Sequence, residues 1–219
     1  MRDVEIMRID TDEIKAASET AVKQNGGQVC DWLPYIEPTT LRDSESIIAR
    51  ALILNAMLNI YFGAPIAVIR EWIEQYDLTD ELSPVEAGIL SKDDAELTEQ
   101  EKTNLYWYIE ALWAFMWATG MVERMDFTTC IPDSMASMCP NLERGEGPDK
   151  FSEAMKLRDY DDLYKERDLY YRVMWWARES QLRGQPDPKF AMSRIMERRR
   201  ALEWLMDATL DWDDVDLST

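Results

Sequence analysis

Three charged side chains stand where charge is costly, and each could do chemistry. Glu110 shares a helical stripe with Trp107, Ala114 and Trp117 inside the apolar run 105–122. A carboxylate beside two indoles is partly desolvated, which raises its pKa unless a cation pairs with it. Glu110 therefore reads either as an acid or base in a pocket, or as half of a buried ion pair or the acceptor of an indole N–H. Asp168 precedes Arg172 by four residues, the favourable order for a helical ion pair, on a stripe continued by Trp175 and Glu179. That stripe reads as a solvated face before it reads as a site. Arg199 fills a gap in the apolar stripe of Met192, Ile195, Met196, Leu202, Leu205 and Met206. An inward-facing arginine must find acceptors, and Glu197, Asp168 and Glu110 are the candidates. Arg198 and Arg200 are expected to face outward.

Composition removes several chemistries. The chain has 219 residues and no histidine. That excludes Ser-His-Asp and Cys-His mechanisms and removes the commonest metal ligand. Cys30, Cys130 and Cys139 are odd in number and widely spaced, so they suggest reduced thiols and neither a disulfide framework nor a zinc pattern. Asp211, Asp213, Asp214 and Asp216 lack the glycine and the terminal glutamate of a calcium loop. Gly145-Glu146-Gly147 lacks the Lys-Ser/Thr of a phosphate loop. No metal and no cofactor is expected.

The net charge is −19. Residues 77–101 hold nine acids against Lys92 alone, and 203–219 hold six acids and no base. Such a surface repels nucleic acid and anionic membranes and would attract a basic protein. The charged start, Met1-Arg2-Asp3, has no apolar leader, and Glu110 interrupts the one run long enough to approach a membrane span. The reading is a cytoplasmic chain.

The elements that must position these residues are helical almost throughout. An N-terminal unit, 1–40, comprises a polar helix over 10–25, ended by Gly26-Gly27, and an extended linker anchored by Trp32, Leu33 and Ile36. A helical domain, 41–219, follows. Its first helix, 43–61, carries the stripe Ile47, Ala51, Leu54, Leu58 and Tyr61. Pro65 suits the first turn of the next. Ser83-Pro84-Val85-Glu86 and Thr98 with Glu101 are N-terminal capping patterns. The second opens a helix that runs to about 119 and stops at Gly120. Residues 122–150, broken by Pro132, Pro140 and Pro148, form a surface excursion. Helices over 161–183 and 189–210 form a hairpin, and Trp212 folds back to anchor the acidic tail. The fold class is all-α, a single multi-helix domain with a Trp-rich core.

The order of short motifs resembles a bacterial family known as domain of unknown function 4272. Leu33-Pro34 with Ile36, Arg42 followed by Ile47, Arg50, Ala51 and Leu52, and Leu82-Ser83-Pro84-Val85-Glu86 are similar to its first half. Trp107, Glu110, Trp117 and Gly120 resemble its central helix. Leu157-Arg158, Asp168-Leu169, Tyr171-Arg172 and Trp175 resemble the next. Glu197-Arg198, Trp204-Leu205 and Trp212-Asp213-Asp214-Val215 resemble its close. Arg50 joins the candidate polar residues on this ground. The chain departs from the pattern at Arg199, where the family commonly has His, and at Glu203, where Asn is common. The resemblance implies a fold and a bacterial or phage-like cytosolic setting, and no reaction.

Two functions follow. The leading one is an acidic helical protein-binding module, an adaptor or neutraliser of a basic protein. The alternative is a small-ligand binder or enzyme with a Trp-lined pocket at Glu110, Arg172 and Arg199.

Overall fold

The computed structural model describes residues 9–186 and 191–219, and among them all regular structure is helical. Eight α-helices are described: α1 (Thr11–Gln24), α2 (Ser44–Tyr61), α3 (Ile66–Gln75), α4 (Pro84–Leu90), α5 (Glu99–Ala118), α6 (Asp149–Ala154), α7 (Tyr160–Leu182) and α8 (Met192–Met206). Short 3-10 turns sit at Thr79–Glu81, Asp94–Glu96, Asp133–Met138, Leu142–Arg144 and Trp212–Asp214.

Helix starts obey the capping chemistry in the sequence. Asp10, Asp43, Ser83 and Thr98 each accept a hydrogen bond from the third residue on, and Glu86 and Glu101 close capping boxes. Pro65 stands just before α3 without a side-chain cap, and the Ile66 N–H donates instead to Asp94 (2.8 Å). Gly120 ends α5 with φ of 73°, a left-handed conformation that glycine adopts without a Cβ penalty.

The main helices pack as a row of neighbours, α1 on α7, α7 on α8, α8 on α5, α5 on α2 and α2 on α3. Members inside this row are flanked twice, so they lose the one-sided apolar stripe of a surface helix. Helix α2 buries Ile47, Ala51, Leu52, Ile53, Leu54, Ala56, Met57 and Ile60, residues from all round its axis. The single stripe read from the sequence is thus too narrow, and its last member, Tyr61, is 42% exposed. At the end of the row α1 does show one face, Ile14, Ser18 and Val22. Trp72, Trp113, Trp117, Trp176, Trp204 and Trp212 lie in the core. Trp32, expected as an anchor, is exposed.

Residues 29–42 run extended along α7 and are tied down by hydrogen bonds. The Tyr164 hydroxyl donates to the Ile36 carbonyl, the Tyr160 hydroxyl to Thr39 O (2.8 Å) and Arg172 to Pro34 O (3.1 Å). Helix α8 stops at Met206, earlier than its apolar pattern suggests. Arg42 explains this. Its guanidinium lies 3.8 Å over the Trp204 ring and donates to the carbonyls of Trp204, Asp207 and Leu210, so it satisfies the helix end and turns the chain. The start expected near 189 lies outside the described residues. No helix among the described residues is long and apolar enough to cross a membrane.

Candidate functional site

The residues singled out in the sequence occupy buried arginine–carboxylate clusters between helices. Glu110 of α5 accepts from Arg198 (2.8 Å) and Arg194 (3.4 Å) of α8. Arg198 is 0% exposed and also donates to Asp126 O (2.8 Å), Thr129 O (3.3 Å) and the Tyr170 hydroxyl (3.1 Å). The Tyr170 hydroxyl in turn donates a hydrogen bond to Met125 O (3.3 Å). One guanidinium therefore joins α5, α7, α8 and the loop after Val122.

The outward orientation expected of Arg198 is overturned. Consecutive residues on a helix point about 100° apart. Because α8 has a neighbour on each side, Arg198 faces α5 while Arg199 faces α7. Arg199 is buried as expected, but its acceptor is Glu203 (3.1 Å), one turn on. It also donates to Met174 Sδ and to the tail carbonyls of Leu217 and Ser218, and it stacks on Tyr171. Arg167 of α7 takes the other oxygen of Glu203 (2.6 Å) and reaches Thr39 Oγ1 (2.9 Å). Arg199, Glu203 and Arg167 thus form one ion-paired cluster.

Asp168 and Arg172 form a two-pronged pair at 2.8 and 2.9 Å. They are 1% and 3% exposed, so this stripe is not a solvated face. Helix α1 covers it and brings Glu19 to 3.7 Å from Arg172. Arg50 pairs with Glu86 (2.6 Å), whose same oxygen completes the capping box of α4. The Arg50 guanidinium lies 5.1 Å from the Trp212 ring centre.

Trp107 and Trp175 are half-buried, and Glu197 pairs with Arg200 (3.1 Å). Burial raises the Glu197 pKa, and Arg200 offsets part of that rise. Glu110, Arg172 and Arg199 do not pair with one another. Glu110 accepts from two arginines of α8, and Arg172 and Arg199 donate to neighbouring carboxylates and to backbone carbonyls, so the clusters cross-link elements, while Arg172 Nη1 is left without a hydrogen-bond partner.

Among the participants that sequence reasoning missed are Glu203, Arg167 and Glu166. Glu203 gave a signal, because it sits one turn from Arg199, and Arg167 gave only its place next to Asp168. Glu166 gave none. Burial pushes its carboxyl up to about 8, against the opposing charges of Arg198 and Arg158.

Concavity lies elsewhere. A cleft of about 230 Å³ runs between residues 80–84 and 210–214. Asp80 and Glu81 stand on one wall, Asp211, Asp213 and Asp214 on the other, with Arg42, Arg50, Trp204 and Trp212 beneath. The walls are joined where Asp213 accepts from the backbone N–H of Val85 (3.0 Å) at the start of α4.

An all-α domain cross-linked by buried arginines defines a structural class and no reaction. The chain belongs to the family described as a domain of unknown function (DUF4272), whose model matches residues 14–215, from α1 to the Trp212 turn. No curated protein matches it. No solved structure matches it.

Proposed function

We propose that this protein is a non-enzymatic acidic module of the cytoplasm that binds a basic protein, as an adaptor or as its neutraliser. The observation that carries this reading is the meeting of the two acidic blocks, far apart in sequence, across the cleft at 80–84 and 210–214. Asp80, Glu81, Asp211, Asp213 and Asp214 are all exposed there. The arginines beneath them are already engaged, Arg50 by Glu86 and Arg42 by backbone carbonyls. The field at the mouth is therefore negative, which steers a cationic partner and disfavours an anionic one.

Buried charge supports the same reading. Arg50, Arg167, Arg172, Arg198 and Arg199 lie inside against Glu86, Glu110, Asp168 and Glu203. Five cations against four anions leave the interior slightly positive, so no part of the net −19 is buried.

The test is capture from native lysate, at low and high salt, by the tagged wild-type protein and by the variant Asp80→Lys/Asp211→Lys/Asp214→Lys. A stoichiometric basic protein retained by the wild type at low salt, released by high salt and missed by the variant supports the reading. Equal capture by both proteins, or no basic partner at either salt, ends it.

A further inference from the structure

A second cleft, of about 410 Å³, opens between α2, α5 and the turn Asp133–Met138. Its volume falls in the range of about 300–1000 Å³ typical of small-molecule sites. Leu58, Ile109, Leu112 and Met135 give it an apolar floor. Phe62, 66% exposed, stands at its edge, an arrangement that keeps an apolar ring in water.

The polar groups of this cleft are biased toward accepting. Its charged lining residues are Asp133 and Glu143, both exposed, and no lysine or arginine lines it. Neither carboxylate has an ion-pair partner among the described residues. The Cys139 thiol is pushed up to about 12 by burial and presents a neutral wall. Asn55 of α2 is 4% exposed and lines the same space. Its Nδ2 donates to Pro140 O (3.3 Å). A carbonyl can only accept, so the amide nitrogen must face Pro140, which sets the orientation of the amide. Asn55 Oδ1 then accepts from none of the described residues. That oxygen is open to water in the cleft, so a ligand that displaces the water there must supply an N–H in its place.

We propose that this cleft binds a small amphipathic cation, an amine or guanidine carried on an apolar body. The body rests on Leu58, Ile109, Leu112 and Met135. The cationic N–H donates to Asn55 Oδ1, and Asp133 and Glu143 supply the negative field at the mouth. An anion would meet two carboxylates and no cation. A pure hydrocarbon would leave Asn55 Oδ1 without a donor.

Isothermal titration of the full chain with hexylamine, phenethylamine and tryptamine tests this, with hexanoate, hydrocinnamate and indole acetate as anions of matched body. The amines are expected to bind the wild type and the carboxylates not. Asp133→Lys/Glu143→Lys, exposed on turns, is expected to weaken the amines about tenfold or more. Ala136→Trp, an exposed lining position, fills the cleft and should abolish binding. Asn55→Leu removes the acceptor. If that buried variant does not fold, Ala136→Trp, checked by its circular-dichroism melt, decides the location. Three results each overturn the proposal: no amine binding to the wild type, carboxylates bound as tightly as amines, or amine binding unchanged in Ala136→Trp. Capture of a basic protein through Asp80, Asp211 and Asp214 does not depend on Ala136, so the two readings fail separately.

Discussion

Arg198 is fully buried, and each of its three side-chain nitrogens donates inside the protein. Removing its carboxylate is expected to be far worse than removing the pair. Glu110→Ala leaves a buried guanidinium uncompensated and should cost about 3–5 kcal/mol in urea denaturation. Glu110→Leu combined with Arg198→Met keeps the volume without the charges and should cost clearly less. A single variant no worse than the double would show that the pair is not what holds α5 to α8.

Glu166 makes a second prediction at this scale, with a definite sign. Its carboxyl is raised by burial from 4.5 to about 8, so the folded state holds the proton more tightly than the unfolded one. Stability from this group is fully present below about pH 4.5 and is lost as pH rises toward 8. Glu166→Gln cannot ionise. It should match the wild type near pH 4.5 and exceed it at pH 8 by on the order of 2 kcal/mol, discounted because the side chain is partly exposed. Parallel urea titrations at the two pH values check this, and a difference that does not grow with pH refutes it.

At the scale of elements, α1 and the segment after α8 are clasped to the row by specific contacts. Gly27, just past α1, lies against α7. A Cβ there would stand 2.5 Å from Val22 Cγ1 and 2.7 Å from the Trp176 ring. Gly27→Ala should cost about 1–3 kcal/mol by overpacking and loosen α1 from α7. Faster proteolysis within residues 11–40, with the rest of the chain intact, is the expected signature. Arg42 does the equivalent work after α8. Arg42→Ala frees three carbonyls in and just after the last turn of α8 and the Trp204 face, and should expose residues 207–219 to protease before the domain melts.

For the whole molecule, charge decides. A surface carrying the full −19 repels itself, and salt screens exposed charges while leaving buried pairs almost untouched. Raising salt from about 10 to about 150 mM should therefore raise the melting temperature. A fall would mean that exposed ion pairs such as Lys165–Asp161 and Lys102–Glu99 outweigh the repulsion.

The amino-acid sequence by itself determined the helices and their starts, because capping and periodicity act within one turn. Asp43, Ser83 and Thr98 could be read as caps for that reason. The inward orientation of Arg199 and the anchoring of Trp212 were legible too, since each follows from one apolar stripe or one apolar residue. Tertiary structure decided the second face. Periodicity reveals one buried stripe, and a helix between two neighbours has two, so Arg198 and the Asp168–Arg172 pair looked solvated and are not. It also decided the partners. Glu110 meets Arg198 across 88 positions and Arg172 meets Pro34 across 138, distances over which no local pattern carries information. The convergence of the acidic blocks at one cleft and the lone acceptor of Asn55 arise in the same way. They depend on which surfaces the packing of helices brings together, and that is a property of the folded chain alone.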